Sequence, residues 1–105
     1  MELNQVGERW QIVVEDNDEF EEVVNALFSS SPAAYIRLNT SFINSGFPAQ
    51  AVVSEKQLFR LSDRLSNFAR RPSLLEWLGL VDRDESSTEI CERLSGKILN
   101  TLSVL

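Results

Sequence analysis

Six of the eight residues from Glu15 to Glu22 are carboxylates (Glu15, Asp16, Asp18, Glu19, Glu21 and Glu22). Paired carboxylates do acid/base chemistry when one of them is desolvated in a cleft. Here they stand in a run of like charge, the pattern of a solvated face. There is no histidine, which removes Ser-His-Asp and Cys-His chemistry and the commonest metal ligand. The one cysteine, Cys91, falls on an apolar helical stripe. It reads as a buried thiol, because a reactive one needs exposure and electropositive neighbours. Calcium loops fail on spacing. Asp82, Asp84 and Ser86 hold ligand places, but Ser87 stands where the turn glycine belongs and Arg93 where the bidentate glutamate belongs. A loop begun at Asp16 fails at Glu21 and Leu27 in the same way. No enzyme, no metal site and no cofactor are expected.

The charge is unevenly placed. Residues 1–53 hold eight acids and two bases, whereas residues 54–105 hold eight of each, so the whole net charge of −6 comes from the first half. A phosphate-binding surface needs clustered cations, so DNA and anionic membranes are not expected partners. The stripe Lys56, Arg60, Arg64 is broken by Glu55 and Asp63, and it is expected to pair with acids of the first helix or of the region 82–92. A basic protein is the partner that fits.

At 105 residues the chain is long enough for one domain. No apolar run is long enough to span a bilayer, the start lacks a signal-peptide pattern, and one cysteine staples nothing; the expected address is cytoplasmic. The charges must be positioned by local elements. Residues 1–8 have no period and are expected to fray. Trp10, Ile12 and Val14 alternate as a strand over 9–14. Asp16 or Asn17 caps a helix whose apolar stripe is Phe20, Val23, Val24, Leu27 and Phe28, ended by Ser29-Ser30-Ser31-Pro32. Glu19, Glu21 and Glu22 fall off that stripe, outward, in the first turns of the helix, where its dipole favours anions. Ile36, Leu38, Thr40 and Phe42 alternate as a strand over 35–43. With a turn at Asn44-Ser45-Gly46 and a return over 47–53, this predicts a hairpin with Pro48 on an edge strand. Ser54-Glu55-Lys56-Gln57 is a capping box for a helix to about Arg71, buried along Leu58, Leu61, Leu65 and Phe68. A short helix from Pro72, a charged loop over 82–85 and a last helix opened by Ser86-Ser87-Thr88-Glu89 complete the chain. The last stripe is Ile90, Cys91, Leu94, Ile98 and Leu102, and Gly96 within it suggests a close approach. The fold expected is α+β: a three-stranded sheet with about four helices, in the order β-α-β-β-α-α-α.

In size, charge and element order the chain resembles bacterial toxin-immunity proteins of the contact-dependent growth inhibition type; its Ser54-x-x-Gln57-Leu58-x-x-Leu61 helix start is similar to helices in several of them. The resemblance implies a non-enzymatic inhibitor that neutralises a basic toxin, in many cases a nuclease. The partner-binding face expected here comprises Glu15, Asp16, Asp18, Glu19, Glu22, Asp82, Asp84 and Glu85. Two alternatives stand beside it. One is a phage-type DNA mimic, which needs acids spread over the surface. The other is an adaptor or chaperone subunit with an exposed apolar groove near Phe59, Trp77 and Leu80.

Overall fold

The computed structural model describes residues 1–70 and 85–103. The chain starts in a strand. β1 (Glu2–Val6) pairs antiparallel with β2 (Arg9–Val14), Val6 opposite Arg9. The two-residue loop between them begins with Gly7 at φ 63, the backbone that a primed hairpin turn requires. The expected fraying is thus replaced by a hairpin. β1 carries polar residues because both its faces are largely wet, so its backbone pairing leaves no apolar period to read.

β2 leads into α1 (Asn17–Ser30), with Asp16 as its cap: the Glu19 N–H donates to Asp16 Oδ1 at 2.8 Å. Ser31 then serves two helices at once. Its N–H donates to the Leu27 carbonyl at 2.8 Å, and its own carbonyl accepts from the Tyr35 N–H at 3.0 Å. α2 (Pro32–Ser45) follows directly with Pro32 in its first turn, and its end is turned by Gly46 at φ 68. The strand expected over 35–43, and the hairpin built on it, are therefore a helix. Leu38 and Ala34 face the core while Ile36 and Ile43 face out. Apolar residues on both sides of a helix produced the two-residue alternation.

β3 (Ala49–Ser54) pairs antiparallel with β2 and is an edge strand, in the sheet order β1-β2-β3. α2 lies along that edge: Arg37 Nη2 donates to the Val52 carbonyl at 2.9 Å and the Gln50 N–H donates to Ser41 Oγ at 3.0 Å. The expected capping box forms, with Ser54 N–H to Gln57 Oε1 at 2.9 Å and Gln57 N–H to Ser54 Oγ at 3.1 Å. It opens α3 (Glu55–Arg70), which is followed by α4 (Glu85–Ser103). The charged loop expected over 82–85 thus ends in helix, and the capping box expected at Ser86 lies inside α4. The short helix expected from Pro72 falls outside the described residues.

The fold is α+β, a three-stranded antiparallel sheet with four described helices, in the order β-β-α-α-β-α-α. One sheet face is buried through Trp10, Ile12, Val14, Ala49, Ala51 and Val53; the other carries Gln11 donating to Gln50 at 2.6 Å. Leu58, Leu61 and Leu65 of α3 and Cys91, Leu94, Ile98 and Leu102 of α4 join the same core. Each such leucine contributes roughly 1.5–3 kcal/mol by leaving water. Phe68, expected to be buried, is 36% exposed, and Ala69 takes the inner place. Phe20, Phe42 and Phe47 form a ring cluster with centroids 4.7–5.7 Å apart. α3 and α4 meet through two buried serines: the Ser62 and Ser95 hydroxyls lie 3.1 Å apart, and the Ser95 hydroxyl donates to the Ser62 carbonyl at 3.0 Å. Gly96, in contrast, faces open space, since a Cβ there would meet nothing within 4 Å. The close approach expected at Gly96 is made one residue earlier. Among the described residues no helix is long and apolar enough to cross a membrane.

Candidate functional site

The buried side of α1 runs through Glu19, Phe20, Val23, Ala26 and Leu27. It is rotated from the expected stripe toward Glu19, and Phe28 is 65% exposed. Ala26 carried the missing signal. With it in the pattern, position 19 lies one turn ahead of Val23 on the inner face.

Glu19 is 3% exposed. One carboxylate oxygen pairs with the amino group of Met1 and the other with Arg93 Nη2 at 3.1 Å. A buried carboxylate held between two cations is neutralised in place. Glu22 is half-buried against α4: one oxygen accepts from the Ser87 hydroxyl and the other from the Cys91 thiol at 3.1 Å. These two acids tie α1 to the amino group of Met1 and to α4, and they are buried or half-buried where the sequence predicts an outward face. Cys91 is buried, as its stripe predicts.

The remaining expected residues divide. Glu15, Asp16 and Asp18 are exposed, though Asp16 also holds the cap of α1. Asp82 and Asp84 lie outside the described residues. Glu85 opens α4, and its side chain is also outside them. In their place α4 contributes Glu89 and Glu92, both exposed. Asp18, Glu89, Ile90, Glu92 and Arg93 line an open groove of about 750 Å³ between the start of α1 and α4. Sequence reasoning passes over Glu89 and Glu92, because in the letters alone Glu89 closes a capping box and Glu92 stands among mixed charges.

The groove's chemistry is plain. Three carboxylates and the apolar side chain of Ile90 line it, and its guanidinium, Arg93, is already engaged by Glu19. Among the described residues no hydroxyl or thiol lines it, so they offer no nucleophile for a carboxylate to activate. It suits a long cationic side chain, with the methylenes on Ile90 and the head group among the acids.

The basic stripe sits elsewhere. Arg60 and Arg64 line a second groove of about 390 Å³ with Ser29, Ser30, Asp63 and Asn67, beside the C-terminal end of α1. That helix has no basic residue in its own last turn, and cations are favoured there. Among the described residues, no ion pair joins Lys56, Arg60 or Arg64 to the acids of α1, the first of the two partners expected for them, and Asp82 and Asp84 of the other lie outside the described residues; the ion pairs shown fall on Glu19. Of the expected apolar groove only Phe59 is described, at 47% exposure; Trp77 and Leu80 are outside the described residues. Compared with family models, with curated proteins and with solved structures, the chain finds no match in any of the three.

Proposed function

We propose that this chain is a non-enzymatic inhibitor of the immunity type, which binds a basic protein toxin through the acidic groove between α1 and α4. The observation that carries the proposal is the groove itself: Asp18, Glu89 and Glu92 stand around Ile90 on two helices locked together by internal carboxylate contacts. The internal acids hold the helices, and the outer acids meet the partner. Glu15 and Asp16, exposed at the α1 start, extend the same negative field.

A lysine or arginine from the partner enters the groove, packs its stem on Ile90 and sets its charge among the three carboxylates. Opposed charge speeds encounter and rejects anionic competitors. A partly desolvated pair of this kind is a hot spot costing about 2 kcal/mol or more when truncated. If the partner is a nuclease, the acids occupy ground that its substrate's phosphates would take. The chain works in the cytoplasm in this reading, with its one thiol kept reduced.

The test is capture from the native host, with Asp18→Lys/Glu89→Lys/Glu92→Lys beside the wild type. The proposal expects one basic protein bound one-to-one, its toxicity suppressed on co-expression, and association slowed at least ~10-fold in the variant at low salt. Glu55→Lys, exposed on α3, serves as the charge control. Circular dichroism checks that the variant is folded. Equal binding by wild type and triple variant would discard the groove, and absence of any basic partner would discard the function.

A further inference from the structure

Arg93 has two carboxylates to choose between. Glu89 stands four residues before it on α4. That is the same side of the helix, with the acid toward the N-terminus, the order that favours an i, i+4 pair. Among the described residues that pair does not form. Arg93 crosses to α1, where its Nη2 meets Glu19 Oε1 at 3.1 Å, and Glu89 stays exposed with no ion pair shown. Burial decides the choice. Glu19 is 3% exposed and needs its counter-ion, whereas water serves Glu89. The next cation along α4 is also engaged: Lys97 Nζ donates to the Met1 carbonyl, and Lys97 is not among the residues that line the groove.

We propose that Glu19 is a positioning residue for the groove between α1 and α4. By holding Arg93 it keeps the guanidinium off Glu89, and so keeps Asp18, Glu89 and Glu92 open to a partner's cation. This rests on the reading of that groove as a cation site. It adds that a buried acid outside the lining sets the groove's charge. With Arg93 committed to Glu19, the three lining carboxylates have no counter-ion within the groove. With Arg93 released, a guanidinium one turn from Glu89 competes with any arriving lysine or arginine. Being tethered, it competes at high effective concentration. The Arg93 side chain is 61% exposed, so it swings across without repacking the core. The clasp between the helices does not hang on Glu19 alone, because Glu22 also joins α1 to α4 through Ser87 and Cys91.

The probe is tri-arginine amide, titrated into isotope-labelled protein at low salt and followed on the amide signals of Asp18, Glu89 and Glu92. Glu19→Gln, Arg93→Gln and Glu19→Gln/Arg93→Gln are measured alongside, each checked for folding by circular dichroism. Glu19→Gln is expected to weaken the probe about 5-fold, the factor that one cation at about 4 Å from the probe's charge gives in water-like surroundings. In the Arg93→Gln background the same change is expected to weaken it less than ~2-fold, since no guanidinium is left to release. Loss of the Glu19 charge, and of the counter-ion of the Met1 amino group, is common to both backgrounds, so the difference reports Arg93. NOEs from the Arg93 side chain are expected to run to Glu19 in the wild type and to Glu89 in Glu19→Gln. Equal loss in both backgrounds overturns the proposal and leaves the groove's function standing. So does a wild-type Arg93 found on Glu89, a measurement that needs no variant to fold. A wild type whose Asp18, Glu89 and Glu92 signals ignore the probe overturns both.

Discussion

Three glycines offer the same space and opposite outcomes when replaced by alanine. At Gly7, Gly46 and Gly96 an added Cβ meets nothing within 4 Å, so packing contributes nothing at any of them. What differs is the backbone. Gly96 sits inside α4 with no positive φ, while Gly7 and Gly46 hold φ 63 and φ 68. Gly96→Ala removes the helix-interior penalty of glycine, about 0.8–1.0 kcal/mol. Gly7→Ala and Gly46→Ala gain about 0.4–1 kcal/mol from a stiffer unfolded chain and lose roughly 1–3 kcal/mol to a positive-φ backbone, Gly46 the more because φ 68 with ψ −147 is a conformation adopted essentially by glycine alone. The net is a loss of about 0.5–2 kcal/mol, the larger at Gly46. Urea denaturation with an unchanged slope is the assay. Gly96→Ala is expected to raise the melting temperature by about 4–8 °C, and the other two to lower it by several degrees. A destabilised Gly96→Ala would mean that α4 touches something at that residue.

Two further outcomes concern the internal polar contacts. Glu19→Gln keeps the shape and removes the charge between Met1 and Arg93. It is expected to cost about 1–3 kcal/mol, held below a fully buried pair because the Arg93 side chain is 61% exposed; an unchanged urea midpoint would show that the carboxylate holds nothing. At the helix crossing, Ser62→Ala and Ser95→Ala are each expected to cost about 1 kcal/mol. The double variant should cost less than their sum by ~0.5 kcal/mol or more, because the hydroxyls share one network; strict additivity would show that they act separately.

Local signals carried much of the fold. The Ser54–Gln57 box, the Leu58, Leu61, Leu65 stripe and the alternation of β2 each state one structure on their own, and each formed. The failures share a cause. β1 is held by pairing with β2, a non-local contact that leaves no periodic trace in Glu2, Asn4 and Gln5, although Gly7 marked its turn. α2 reads as a strand because Ile36 lies opposite Leu38 and Phe42, so both periods fit the same letters. The candidate site was legible as charge and illegible as direction. Nothing local to Glu19 or Glu22 announces Arg93, Ser87 or Cys91, which lie about seventy residues on and meet them only through packing. Asp18, one residue from Glu19, faces outward because a helix turns about 100° per residue.

The two borders of the sheet are unequal. Along β3, Arg37 and Ser41 occupy the Val52 carbonyl and the Gln50 N–H that would otherwise recruit a foreign strand. Among the described residues, no helix runs along the β1 border. A ribbon that can lengthen at one side alone finishes when two such sides meet, whereas a fibre needs both. Strand addition by itself therefore stops at a pair of sheets joined along β1, for as long as α2 stays in place.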